Sequence, residues 1–491
     1  MRHISLLFVL QIMTAMVAVN LAGVQLLPAQ DANADRVQPY SQNPRYWQYK
    51  ARPVMLLGGS KTDHLFLLDD LEAHLDELKS IGVNYVRNTM SQREGWELKA
   101  HKLRPDGKFD LDEWNDDYWN RFANMLRWTA DRDIIVQVEI WDRFDFTDAR
   151  EWNIWQESPW RPANNSNYTT DESGLADRYT DHPGADKQPF FHTIPGMPMY
   201  EKRLDQIRNY QEAFVEKMLS YSLAYGNVLY CMNNETSTPP EWGQYWIRFI
   251  KERANSKGVL VCTSDMFDDA FAADKAKHTP VIFDDGEKYM FADISQVNSQ
   301  IYDDEHWKRL QLLLRLVDKH PRPTNHVKIY SGGFASFGTG SLEDGVERFW
   351  RDILGGSAAV RFHRPPENKP FDYRTKSCIR AARLMTTMIA PWELAPHMEL
   401  LSDRSNNEAY LAANPGQTYA LYFTHGGSVG LDLTDTPGVF GVKWISVSER
   451  VTTRTTSAKV YARTKDSIEG GRVVTLSAPY KGGWVAVLVK K

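Results

Sequence analysis

Residues 228–265, VLYCMNNETSTPPEWGQYWIRFIKERANSKGVLVCTSD, read as strand, helix and strand: an apolar run ending at Glu235, a segment of helical periodicity, and a second apolar run ending at Asp265. The same unit recurs along the chain. Upstream lie VMLLGGS (54–60), NYVRNTMS (84–91) and IIVQVEIWD (134–142); downstream lie ADISQVNS (292–299), HVKIYSG (326–332) and AAVRFH (358–363). Helix-like segments separate them, among them DDLEAHLDELKSIG (69–82) and EWNDDYWNRFANMLRWTADRD (113–133). The first opens on carboxylates and stops at Gly82, as the helix dipole and C-cap preferences ask. Only the connection after Asp265 is weakly helical. Eight strands with helical crossovers predict an α/β fold, a (β/α)8 TIM barrel over residues 40–390, with an open doubly wound sheet as the lesser alternative.

One connection breaks the rhythm. Residues 143–200 lack clear periodicity and far exceed a usual βα loop, and in a barrel they must emerge on the C-terminal face, where active sites are built. They carry Trp152, Trp155, Trp160, Tyr168, Tyr179, Phe190, Phe191 and Tyr200. Such rings either stack on sugar faces or pack the loop onto the barrel as a small core. The loop's Asp171, Asp177, Asp181 and Asp186 suit solvated charge better than a Ca²⁺ site. After Pro391 the pattern changes to short alternating strands between Gly, Pro, Asn and Thr turns, which predicts a small all-β sandwich over residues 391–491.

At the other end, Arg2 and His3 precede the apolar run ISLLFVL, then IMTAMVAV, with no acidic residue before Asp31. This is the pattern of a cleaved secretory signal over residues 1–29, and it predicts a secreted or periplasmic protein with no membrane attachment after cleavage. Gln11, Thr14 and Asn20 interrupt the run, which argues against a membrane anchor. The 491 residues carry 58 Lys plus Arg against 63 Asp plus Glu, a net charge of −5, so no basic field exists to hold nucleic acid. Cys231, Cys262 and Cys378 are too few for a disulfide framework and read as buried thiols. Zinc-ligand spacings, GxGxxG and P-loop patterns are all missing, so neither a metal nor a nucleotide cofactor is expected.

In a barrel the polar residues at strand C-terminal ends are the site candidates. Here they are Arg87 and Asn88, Glu139 and Asp142, Asn234 and Glu235, Asp265, Tyr302, Lys328 and Tyr330, and Arg361 and His363. Carboxylates, amides and aromatics around a groove are what glycosidic cleavage needs: one carboxyl protonates the leaving oxygen while an ionised one attacks or activates water. The expected partner is a polysaccharide or oligosaccharide substrate.

Asn234-Glu235 at the end of strand four resembles clan A glycoside hydrolases, whose acid/base Glu follows an Asn there; Arg87 after strand two and Tyr302 after strand six also fit that clan. The stretches YWQYKARPVMLLGGS, LKSIGVNYVRNTMS, GVERFWRDILGGSAAVRFHRP, AANPGQTYALYF and GWVAVLV are similar to apiosidase-like barrel hydrolases. The C-terminal β domain of those enzymes carries the label collagen-binding. The resemblance implies an exported enzyme acting on side chains of a complex polysaccharide. It departs from the clan in one respect. Retaining members carry a nucleophilic Glu at the end of strand seven, whereas this chain offers Lys328, Tyr330 and Ser331.

Three explanations follow: an inverting enzyme, Tyr330 as nucleophile, or a barrel that binds sugar without hydrolysis. The first is preferred. In it Glu235 is the general acid, raised by burial, and Asp142 or Asp265 is the base, kept ionised by Arg87 or another cation. Asn234 holds a sugar hydroxyl, with Asn88, Glu139, Tyr302, Tyr330, Trp152, Trp155 and Trp160 also lining the substrate. Arg87, Lys328, Arg361 and His363 either recognise a uronate or sulfate or pair with the barrel's own carboxylates. A polysaccharide lyase is the remaining alternative.

Overall fold

The computed structural model describes residues 33–91, 98–148, 154–180, 187–268, 279–296, 301–330, 339–365, 371–447, 460–461 and 467–491. Eight parallel strands form one sheet: β1 (Leu56–Gly58), β2 (Tyr85–Thr89), β3 (Ile135–Asp142), β4 (Val228–Asn234), β5 (Cys262–Ser264), β6 (Ala292–Asp293), β7 (Thr324–Ile329) and β8 (Ala359–Phe362). Their order is β5-β4-β3-β2-β1-β8-β7-β6, so β1 and β8 pair and the sheet wraps into a TIM barrel. Gly58 permits the closure between β1 and β2, because a Cβ there would lie 2.3 Å from the Tyr85 carbonyl oxygen.

The outer ring is α1 (Leu71–Ser80), α2 (Asp116–Asp131), α3 (Leu204–Ser222), α4 (Pro240–Ser256), α5 (Thr279–Asp284), α6 (Asp303–Leu316), α7 (Leu342–Gly355) and α8 (Tyr373–Thr386). The short α5 follows Asp265, where the helical signal is weak. The helix expected from residue 113 starts later. Glu113 and Trp114 instead end the strand Phe109–Trp114, which pairs with His101–Leu103, and Asn115 caps α2 by accepting from the Asp117 N–H. α7 has a full capping box from Ser341 and Asp344 and ends at Gly356, φ 104°.

The barrel interior is polar rather than aliphatic. Near its floor Tyr85 donates to Gln137, Asn325 donates to both, and Gln137 donates to Asp293. Trp47, on the strand Asn43–Tyr49, plugs the floor and donates its indole N–H to Asn325 at 2.9 Å. A recess of about 430 Å³ lies outside this end, lined by residues such as Tyr49, Lys50, Asp133 and Arg383. Lys50 already pairs with Asp133 there, and the N-terminal face of a barrel contributes stability rather than chemistry.

Beyond the barrel lie β9 (Ala409–Asn414), β10 (Thr418–Phe423), β11 (Ser428–Asp432), β12 (Val439–Ser446), β13 (Val473–Ser477) and β14 (Trp484–Lys490). β9, β10, β14 and β12 belong to one antiparallel sheet, and β11 and β13 to a second. Strand alternation divides the larger sheet's side chains between two faces. Leu411, Leu421, Phe423, Trp444 and Trp484 form the sandwich core, while Tyr410, Tyr422, Ile445 and Val485 join the barrel's core. Tyr422 stacks on Trp350 of α7, and Arg404 forks onto Asp304 of α6. This docking accounts for one face of the sandwich as packing against the barrel. Among the described residues no helix is long and apolar enough to cross a membrane.

Candidate active site

Strand alternation turns Arg87 and Glu139 into the barrel, where the guanidinium Nε and Nη2 donate to both Glu139 oxygens at 2.6 and 2.5 Å. Asp63, three residues beyond Ser60, completes the cluster: it accepts from Arg87 Nη1 at 2.8 Å and from Arg361 at 2.9 Å. All four side chains are buried. Burial pushes the Asp63 carboxyl up, but Arg87, His363, Arg361 and Arg364 overcome it and hold it well below the usual range. Burial also pushes Glu139 up, and the Arg87 fork brings it only part of the way back. Arg87 itself loses by burial and gains more from Asp63 and Glu139, so it stays a cation.

The phase of β3 and β4 slips once near their ends. Glu139 faces inward, and so does Asp142 three residues later, while Trp141 turns outward onto Phe214 of α3 and Trp246 of α4. On β4, Asn234 turns inward and Asn233 outward to the Trp242 indole. This slip brings Asn234 over the Arg87 cluster. Its Oδ1 accepts from Arg87 at 2.8 Å and from Lys328 of β7 at 2.6 Å, and its Nδ2 donates to Asp142 at 2.8 Å. Two cations on the oxygen fix which end of the amide points where.

Glu235 follows at the barrel mouth with φ +54°, a strained left-handed conformation for a residue with a Cβ. Lys328 Nζ donates to its Oε1 at 2.5 Å, and Arg143 Nη2 stands 3.8 Å from its Oε2. Arg143 Nη1 also pairs with Asp268 at 2.8 Å. Lys328 and Arg143 are 2% and 7% exposed, whereas the side chains of Glu235 and Asp268 are 17% and 39% exposed, so a ligand entering the mouth meets the carboxylates first. Burial pushes Glu235 up, but Lys328 and then Arg143 outweigh it and hold the carboxyl well below its ordinary range. Glu235 is therefore ionised, not the raised acid expected from burial alone. Asp268 is shifted the other way: burial raises it, Arg143 lowers it, and Glu235 raises it again.

Several expected site residues have other work. Asp265 lies behind the mouth, accepting from Asn233 Nδ2 at 2.8 and 3.1 Å and from the Met266 N–H. It faces α4 so closely that a Cβ on Gly243 would sit 1.9 Å from it. Burial, with no cation beside it among the described residues, pushes its carboxyl up to about 7, the reverse of an ionised base. The folded state therefore binds a proton that the unfolded chain, with a pKa of about 3.9, releases. Stability should be full below about pH 4, fall by about 1.4 kcal/mol per unit as pH rises toward 7, and level off above. Urea unfolding of Asp265→Asn at pH 5 and pH 8 should show that dependence reduced.

Asp142 is 2% exposed and accepts from Asn234 and from the Phe144 N–H. Arg361 donates to Ser60, Asp63 and the Val327 carbonyl, so Arg87 and Arg361 pair within the barrel rather than facing an anionic sugar. Asn88 is buried against the Phe66 N–H and the Thr89 carbonyl. His363 is held well below its usual range by burial, and its ring lies 4.6 Å from that of half-buried Tyr330 at the mouth. Tyr302 is the N-cap of α6, with the Arg348 guanidinium 5.0 Å from its ring.

The long loop's rings mostly pack inward. Trp155 is fully buried and donates to the Ala176 carbonyl; Trp160 is 5% exposed, among His101, Trp141, Phe190 and Phe214. Neither can lie on a sugar face. Trp152 is outside the described residues, as are Asp181 and Asp186, while Asp177 pairs with Arg161 at the surface. Trp160→Ala should lower stability by about 3–5 kcal/mol, the usual cost of an aromatic-sized cavity, with little change in sugar affinity. Denaturation and a binding titration on the same variant separate the two effects.

Asp63, Arg143 and Asp268 were not among the candidates. Arg143 and Asp268 lie one and three residues past the candidates Asp142 and Asp265, and Asp63 lies three residues past Ser60, the end of the first apolar run, so a window of three residues beyond each strand end contains all three.

Residues 92–311 match a family model described as a domain of unknown function, DUF6298. A comparison with curated protein sequences gives no match. Among solved structures, the chain is similar to a glycoside hydrolase family 5 protein from Bacteroides vulgatus, at 11% identity and a TM-score of 0.59, covering 93% of this chain and 94% of that one. It is also similar to a protein described as a glycoside hydrolase, at 11% identity and a TM-score of 0.60, covering 93% and 97%. At such identity the likeness establishes the shared fold, barrel and β-sandwich together.

Proposed function

We propose that the chain is an exported enzyme that hydrolyses glycosidic bonds in a complex polysaccharide, with Glu235 as the carboxylate facing the anomeric carbon. The observation that carries this is the half-buried Glu235 carboxylate just past the tip of β4, held by Lys328 and Arg143. Glycosidic cleavage passes through an oxocarbenium-like state, and a fixed negative charge at the open end of a barrel stabilises it. A group held so far below the usual carboxylate range is a weak base, so its charge matters more than its affinity for a proton. Tyr330 and the open side of Asp268 supply further polar contacts at the mouth. The leader at residues 1–29 supports export, and the apiosidase-like stretches support a polysaccharide side chain as the target.

A barrel that binds sugar without cutting it is the second reading, favoured by Lys328 at the end of β7. A panel of plant and microbial polysaccharides tests both: new reducing ends without ultraviolet absorbance support hydrolysis. An absorbing unsaturated product would mean a lyase, and binding with no product would mean a silent barrel.

A further inference from the structure

Glycosidic cleavage needs a second group to protonate the leaving oxygen, and four of the carboxyls around Glu235 are poorly placed for it. Asp63 and Glu139 are locked on guanidiniums inside the barrel, Asp142 is closed off by Asn234 and the Phe144 N–H, and Asp265 lies behind the sheet. Asp268 is different in three respects. The extensions of β4 and β5 run side by side, Thr236 N–H donating to the Met266 carbonyl and Asp268 N–H to the Thr236 carbonyl, so Asp268 rises beside Glu235. Both carboxylates flank one guanidinium, that of Arg143, on its two terminal nitrogens. Asp268 is also the more exposed of the pair, at 39%.

We infer that Asp268 is the proton donor to the glycosidic oxygen, paired across Arg143 with the ionised Glu235. This rests on the proposed glycosidase activity. As the bond between the anomeric carbon and the leaving oxygen breaks, its electron pair stays on that oxygen, which takes the proton of Asp268. One water is consumed: its oxygen bonds to the anomeric carbon and a proton returns to the carboxyl pair. The environments support the division of labour, since paired titratable groups pushed in opposite directions are the usual mark of an acid and its anionic partner. Among the described residues, the charged groups facing Asp268 are Arg143, Glu235 and Lys328. Arg143 and Lys328 favour its ionised form and Glu235 opposes it, so Arg143 is a positioning residue that also limits how far the acid is raised.

The experiment compares Asp268→Asn with wild type and Glu235→Gln on two substrates: the polysaccharide that wild type cleaves, and an aryl glycoside of the released sugar whose phenol leaves without protonation. Asp268→Asn should lose roughly 10²- to 10⁴-fold on the polysaccharide and less than about tenfold on the aryl glycoside. It should also lose the fall in kcat/KM that wild type shows as pH rises through the ionisation of Asp268. Glu235→Gln should lose both substrates. Retained aryl glycoside activity certifies the fold of Asp268→Asn. Near-wild-type polysaccharide cleavage by Asp268→Asn, or equal losses on both substrates, would overturn the assignment while leaving the glycosidase reading intact. Absence of cleavage by wild type would overturn the glycosidase reading itself.

Discussion

Glu235→Gln is expected to lower polysaccharide turnover by roughly 10²- to 10³-fold, the usual cost of removing one electrostatic contact to the transition state, without loss of the fold. Glutamine keeps the shape and can still accept a hydrogen bond from Lys328, so what disappears is the negative charge. That charge is fixed from two sides, by Lys328 at 2.5 Å and Arg143 at 3.8 Å, and the left-handed backbone at Glu235 aims it. Lys328 retains its bond to Asn234 in the variant, so it is not left without an acceptor in the barrel. Reducing-end release at matched protein concentration, with thermal melting as the fold control, checks the prediction. Turnover near the wild-type rate would remove Glu235 from the reaction.

The second large effect is on stability. Arg87→Met should destabilise the barrel by about 3–5 kcal/mol, because it leaves Glu139 without its fork and removes one of the guanidiniums on Asp63. The loss should depend on pH. Without Arg87 the Glu139 carboxyl rises further and Asp63 rises from its lowered range, so the folded state keeps protons at pH values where the unfolded chain has released them. The folded state then binds more protons, so the deficit grows as pH rises from about 4 toward neutrality and is smallest in acid. Urea midpoints for wild type and variant at pH 5 and pH 8 measure it; a deficit independent of pH would mean that Arg87 acts through packing alone.

These two residues show where a linear sequence is informative. The eight strands are readable because each is an apolar run between helical segments, and the proposed site face follows from strand polarity alone. Glu235 stood out by its place at the end of the fourth run. Arg87 was equally visible, but its partner Asp63 was not, since it sits in the loop after β1 where periodicity carries no information. Its role as an internal ion pair rather than a sugar contact could not be read. The phase slip in β3 and β4 was hidden for the same reason: strict alternation would send Trp141 inward, and only the aromatic packing of α3 and α4 shows that Asp142 takes that side. The long loop's rings were evenly balanced between sugar and core; Trp155 and Trp160 fall to the core because Phe146, Phe190 and Phe214 offer them a ready apolar bed. The lowered pKa of Glu235 is a property of Lys328 and Arg143 arriving from β7 and from just beyond β3, which no local motif encodes.

The most direct test of glycosidic hydrolysis at this mouth is product analysis by mass spectrometry in ¹⁸O-labelled water, with wild type and Glu235→Gln side by side on the polysaccharide that wild type cleaves. The expected result is one heavy oxygen at each new reducing end made by wild type and almost no product from the variant. Unlabelled products, or labelled product formed equally by both proteins, would contradict it.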